Sequence, residues 1–139
     1  MDPEVRWLLD RAQIRELTAR YNRCFDDGEP EGFADLFTDD GEMVVVGGPT
    51  TTGRAALVEM CRHTPYGVVH ATVDATVEVT GDRATQVVTL LVLTRPGADA
   101  ARADRRSTLQ RTGRYTDELV RTAHGWRFAR RTAMLDGGL

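Results

Sequence analysis

A chain of 139 residues with 41% hydrophobic and 28% charged side chains has the make-up of an ordinary globular domain, long enough to bury a core without staples. No apolar run approaches the roughly 20 residues of a membrane span. The N-terminal MDPEVRWLLDR places acids and an arginine where a secretory signal has an unbroken apolar stretch, so one cytoplasmic domain over residues 1–139 is expected.

The formal net charge is -3, and all 18 basic residues are arginine, which reads as the composition of a high-GC genome. Arginines gather between Arg102 and Arg131, interleaved with apolar strand residues and not with exposed aromatics. That pattern is a solvated strand face, and it argues for neither nucleic-acid nor membrane partners. Cys24 and Cys61 have no metal-ligand spacing and read as small buried hydrophobes.

Residues 3–26 read as a helix with Pro3 in its first turn. Val5, Leu8, Leu9 and Ala12 form one apolar stripe; Ile14, Leu17, Tyr21, Cys24 and Phe25 form a second on another side. Asp26-Asp27-Gly28 ends it, glycine being preferred just past a helix C-terminus. Pro30 and Glu31 open a short helix carrying Phe33, Leu36 and Phe37. A turn at residues 38–41 leads into a short strand from Met43 to Val46, then the loop GGPTTTG. Residues 54–62 suit a third helix, stopped by Pro65.

Strand patterning follows. Residues 68–80 and 83–94 make a hairpin around Gly81-Asp82, residues 96–106 a polar loop, and residues 108–120 and 126–134 a last hairpin around Ala123-His124-Gly125. Helices first and antiparallel strands after imply an α+β domain with helices on one face of a curved sheet.

Three polar residues stand out. Asp26 lies in the last turn of the first helix, where the macrodipole disfavours a negative charge by roughly 0.3–1 kcal/mol, although Asp-Asp-Gly is also ordinary turn chemistry. Tyr21 lies on the later apolar stripe, and its hydroxyl needs a partner if buried. Five helical residues are a rotation of about 140°, so Tyr21 shares a face with Phe25 and not with Asp26. His70 opens the strand HATVDATVEV, where counting by twos puts it with Thr72, Asp74, Thr76 and Glu78 on the polar face. A β-bulge between Val73 and Thr76 is required to turn both His70 and Val77 inward. There is no phosphate loop, no nucleophile elbow and no metal-site pair of histidines or cysteines, so no cofactor or metal is expected.

RYNRCFDDGE, FADLFTDDGEM, TGRAALVEM, a histidine ahead of VEVTGDRA, and the closing GRYTDELVRTAHGWRFARR occur in this order nearly end to end. In this the chain resembles the SnoaL-like branch of the NTF2-like superfamily. The resemblance implies a cone of three N-terminal helices on a strongly curved, mainly antiparallel sheet, a deep apolar pocket inside it, and a homodimer. Its closest functional echo is with cofactor-free scytalone and bile-acid 7α-dehydratases, whose aspartate, histidine and, in the latter, tyrosine roles fall on Asp26, His70 and Tyr21. Tyr21 also matches the general position of the oxyanion-binding tyrosine of ketosteroid isomerases, but Val44 and Val45 stand where those enzymes carry a basic aspartate. Leu91 and Leu93 occupy the strand of scytalone dehydratase's second histidine.

The expected activity is acid–base chemistry on a hydrophobic, oxygenated small molecule: dehydration, cyclisation or isomerisation in polyketide- or terpenoid-type metabolism. Asp26 would hold and polarise His70, His70 would move the proton, and Tyr21 would donate to the developing oxyanion. Asp74 shares parity with His70 and would follow it inward, while Tyr66, Phe25, Phe33, Phe37, Met43, Met60 and Thr89 are the expected lining. The rival from another class is a non-catalytic binding or dimerisation module, marked by a pocket packed solid with His70 turned to solvent.

Overall fold

The structure, a computed structural model, describes residues 1–139 except for the side chain of Ala103. Three helices, α1 (Pro3–Asp26), α2 (Pro30–Ala34) and α3 (Arg54–Arg62), cover one face of a six-stranded curved sheet. The strands are β1 (Phe37–Val45), β2 (Thr50–Thr52), β3 (Val68–Thr80), β4 (Arg83–Thr94), β5 (Thr108–Thr122) and β6 (Gly125–Leu135), in the order β2-β1-β6-β5-β4-β3. All pairings are antiparallel except β1 with β6, which run parallel. A single 3₁₀ turn, Arg102–Asp104, interrupts the polar loop.

Local chemistry sets both ends of α1. The Asp2 carboxylate accepts the Glu4 and Val5 backbone N–H groups ahead of Pro3, so the first turn is capped. At the other end Gly28 takes φ +67°, and the Glu29 N–H returns to the Cys24 carbonyl. Only the second of the two apolar stripes is buried. Ile14, Leu17 and Tyr21 reach the core, whereas Val5, Leu8 and Leu9 stay exposed. A helix of this length spans about 36 Å, and its packing begins only near Asp10, which Arg121 and Trp126 hold. The first two turns overhang.

The largest differences from the expectation lie around β1, which takes in the turn expected at residues 38–41. Phe37 belongs to β1 and not to the second helix, and β1 is irregular between Phe37 and Glu42. Gly41 permits this, because a Cβ there would lie 2.8 Å from the Phe37 Cβ. Within GGPTTTG, residues 50–52 pair with Glu42–Val44 as a short edge strand. Both features depend on a distant partner strand.

The core lies between α1 and the sheet's inner face. Along β4, buried Ala84, Gln86, Val88 and Leu90 alternate with outward residues. Tyr115, Asp117 and Leu119 of β5 and Phe128, Arg131 and Ala133 of β6 continue the same face. Arg131, expected on a solvated strand face, is wholly buried. Its guanidinium grips Asp117 at 2.7 and 2.9 Å and lies within 4.4 Å of the Tyr21, Tyr115 and Phe128 rings. No helix of the chain is long and apolar enough to cross a membrane.

Candidate active site

The site starts from a register shift. His70 pairs with Val92 and Thr72 with Leu90, but beyond a break between Val73 and Thr76, Val77 pairs with Gln86. Cross-strand partners share a face, and Gln86, Leu90 and Val92 are all inward on β4. His70 and Val77, an odd number of residues apart, therefore both face the helices. The bulge residue is Asp74, the only described non-glycine residue with positive φ, at +57°. It absorbs the extra position and stays exposed, so Asp74 does not follow His70 inward. That expectation is corrected by the same bulge that turns His70.

On the helix side the last turn brings Asp26 to His70. One carboxylate oxygen accepts the His70 backbone N–H at 2.8 Å, and the other meets Nδ1 at 2.6 Å. The side chains are 10% and 12% exposed, so the contact is sheltered but reachable. An ionised carboxylate only accepts, so against it a neutral ring takes the tautomer with the proton on Nδ1 and the lone pair on Nε2. Phe25 stands edge-on to the imidazole at 5.1 Å and limits its rotation.

A second polar rung adjoins the first. Asn22, one turn before Asp26, donates its side-chain amide to the Thr72 hydroxyl at 3.0 Å. Four helical residues rise about 6.0 Å and two strand residues about 6.6 Å, so Asn22–Thr72 and Asp26–His70 fit in register between an antiparallel helix and strand. A third, Thr18, accepts from the buried Gln86 amide at 2.8 Å. Asn22, Thr72 and Thr18 were not singled out from the sequence, yet Thr18, Asn22 and Asp26 recur at i, i+4, i+8 beside the apolar stripe, and that spacing was the available signal. Asn22, Asp26, His70, Thr72, Arg23 and Arg95 border a cavity of about 430 Å³ between the end of α1 and the start of β3.

Tyr21 is not part of this constellation. It is 1% exposed, and its hydroxyl donates to the Met43 sulfur at 3.5 Å; Phe25, stacked on it at 6.0 Å, is its only link towards His70. Burial pushes the Tyr21 phenol well above its ordinary pKa and that of the neighbouring Tyr115 to about 12, so both stay protonated donors inside the core. Phe33, Phe37 and Met43 are likewise core: at 0%, 5% and 4% exposure they leave little or no water-sized space beside them. The interior expected as a deep apolar pocket is filled by these rings around Arg131. Tyr66 is 73% exposed beneath the Arg95 guanidinium, and Thr89 pairs with Val73 and Arg114 on the sheet's outer face, so neither lines the site. Phe25 and Met60 are half-buried at the rim of the core. Cys61 is a buried thiol, pushed up to about 11 by desolvation, and among the described residues no group of three or more His, Cys, Asp or Glu could hold a metal.

Three helices on one face of a six-stranded curved sheet define an NTF2-like domain. Residues 6–132 match the SnoaL-like domain model, and the chain belongs to that family. Among solved structures it is similar to an NTF2-like protein with a cystatin-like fold from Novosphingobium aromaticivorans, 33% identical over 98% of this chain and 88% of the other, with a TM-score of 0.86. It is also similar to Rv3472(D26N), a protein of unknown function from Mycobacterium tuberculosis (29% identity, 98% and 77% covered, TM-score 0.84). A scytalone dehydratase-like protein from Novosphingobium aromaticivorans shares the fold at 23% identity, 92% and 85% covered, with a TM-score of 0.76. No match was found among curated proteins.

Proposed function

We propose that the protein is an acid–base enzyme of the dehydratase, cyclase or isomerase type, needing no cofactor and acting on a hydrophobic, oxygenated small molecule of polyketide- or terpenoid-type metabolism. The observation that carries this reading is the double capture of His70 by Asp26, through the backbone N–H and through Nδ1. It fixes the ring's position and tautomer together and leaves Nε2 as the base. In an elimination, Nε2 takes the proton alpha to a carbonyl, and the imidazolium formed is stabilised by the adjacent carboxylate. The proton then passes to the leaving hydroxyl, and water and an enone result. Cyclisation and isomerisation use the same two transfers with a different final acceptor. Phe25, edge-on to the ring, and Val92, its cross-strand neighbour, both half-buried against the core, offer apolar surface beside the imidazole. The fold shared with a scytalone dehydratase-like protein agrees with this chemistry without fixing it.

The test is water loss from an aryl β-hydroxy ketone, the aldol of benzaldehyde and acetone, followed by enone absorbance. His70→Ala and Asp26→Asn are expected to remain folded and lose at least a hundredfold in kcat/KM, within the usual range for general acid–base catalysis. Turnover retained in both variants sinks the pair as the catalytic centre. The rival, a non-catalytic binding module, draws support from the filled interior, and it predicts no turnover in wild type either.

A further inference from the structure

The strand that carries His70 is set against its own sequence. In β3, Val69, Ala71, Val73, Ala75, Val77 and Val79 alternate with other residues, and a straight strand shows all six on one face. The hairpin turn pairs Thr80 with Arg83 and Val77 with Gln86. Continued without a break, that register sets Ala71 opposite Val92 and Val73 opposite Leu90, and it turns His70 away from the helices. The bulge gives those inward partners to His70 and Thr72 instead. Val73 is left 44% exposed, whereas Ala75, Val77 and Val79 pack in or against the core. Two registers of one strand therefore compete, and apolar burial favours the one without the dyad. Within the sheet only β4 holds β3, because β3 is an edge strand.

Helix α1 opposes the slip. Asp26 accepts the His70 backbone N–H at 2.8 Å, and Asn22 donates to the Thr72 hydroxyl at 3.0 Å. Beyond the break, Arg15 donates to the Ala75 carbonyl at 3.3 Å and Arg11 to the Val77 carbonyl. At 3.6 residues per turn these four side chains lie within about 60° of one another around the helix. Their steps match as well. Asp26 to Asn22, and Arg15 to Arg11, are helical rises of about 6.0 Å against strand steps of about 6.6 Å. Asn22 to Arg15 rises about 10.5 Å, and Thr72 to Ala75 spans about 9.9 Å. Groups facing one side of a straight strand recur at every second residue. Thr72 and Ala75 can meet the same helix face only with an extra residue between them, and the bulge at Asp74 supplies it. In the slipped register Asn22 faces Val73, which offers no side-chain acceptor.

Resting on the proposed activity for its catalytic meaning, we infer that α1 is the template that sets the register of β3, and that Asn22 and Arg15 are positioning residues for His70. Neither bonds the imidazole. Asn22 selects Thr72 over Val73 on one side of the bulge, and Arg15 pins the Ala75 carbonyl on the other. The extra residue is trapped between them, and His70 is delivered to Asp26.

Nuclear magnetic resonance reads the register without turnover, through cross-strand Hα–Hα contacts. Wild type is expected to show His70–Val92 and Thr72–Leu90. Asn22→Leu combined with Arg15→Met is expected to add a second set, Ala71–Val92 and Val73–Leu90. Its kcat then falls in proportion to the population slipped, about tenfold where nine strands in ten have moved. Each single variant shows the second set at a smaller population, and the two decide the matter if the double variant does not fold. Arg15→Lys keeps the first set alone. Asp10→Asn, on the same helix but bonded to no residue of β3, lowers the Tm without adding the second set, which separates register from stability. A wild type with the first set and no turnover upholds the register assignment and sinks the catalytic reading instead. The inference is overturned if the folded double variant, or both single variants in its place, keep the first set alone. It is overturned equally if Asp10→Asn adds the second set as readily as they do.

Discussion

Two carboxylates of α1, Asp10 and Asp26, are both enclosed by N–H donors, and the identity of the donors separates a structural group from a chemical one. Asp10 receives the Arg121 guanidinium at 2.5 and 2.9 Å and the Trp126 indole at 3.1 Å. Both partners only donate and carry no lone pair that could take a proton. Asp26 faces an imidazole, whose second ring nitrogen can. The hydrogen bond from Arg121, outweighing burial, holds the Asp10 carboxyl below its ordinary value. A carboxyl whose pKa is lower folded than unfolded adds stability above the unfolded value, about 3.9, and loses it as the pH falls through the folded one. Asp10→Asn is therefore expected to cost roughly 2 kcal/mol in urea unfolding at pH 7. The gap from wild type should shrink as the pH is taken below about 4. A gap that stays constant down to pH 2 would show that packing, and not charge, is what Asp10 contributes.

At the scale of the element, β3 shows how one residue out of register decides which groups can meet. Asp74 holds a left-handed conformation that aspartate tolerates and β-branched residues do not. Asp74→Gly is expected to be neutral or slightly stabilising, and Asp74→Val to cost about 1–2 kcal/mol in thermal unfolding. If valine is accepted at no cost, the bulge is not fixed by this residue. Helix α1 supplies a second comparison: Leu8→Ser on the exposed overhang should stay within about 0.5 kcal/mol of wild type. Leu17→Ala, 4% exposed in the core, should cost about 2–5 kcal/mol. The bounds of α1 were legible in the sequence because Asp2-Pro3 and Gly28 act locally, and those of α3 from apolar spacing and Pro65. The need for a bulge in β3 was legible too, as the condition for His70 to face inward. The parallel pairing of β1 with β6 and the strand inside GGPTTTG were not, because each depends on a partner far along the chain. Asn22 escaped notice although its spacing from Thr18 and Asp26 was readable, because only the fold shows that Thr72 and Gln86 face that row. Tyr21 misled because a tyrosine on an apolar stripe looks alike whether its hydroxyl meets a substrate or a methionine.

Across the whole molecule, the interior that might have been a cavity is organised around a charge. Arg131 and Asp117 are both 0% exposed, joined by two hydrogen bonds, ringed by Tyr21, Tyr115 and Phe128, and tied to α1 through Gln86 and Thr18. Burial pulls the Arg131 pKa down, and the Asp117 carboxylate more than offsets it, so the guanidinium stays charged. Removing one partner strands the other, and Arg131→Met alone is expected to cost about 3–5 kcal/mol. Replacing both, as Arg131→Met with Asp117→Leu, should recover most of that loss, because two desolvated charges leave together. Gln86 then keeps Thr18 as its one partner, so recovery should fall short of complete. The comparison bears on function as well. The rings that Arg131 holds support Phe25, and Phe25 abuts His70. If the node serves the site by fixing that stack, the double variant, though folded, will show a raised KM with the pH profile of kcat unchanged. If it serves folding alone, chemical denaturation will report the whole effect and the kinetics will match wild type.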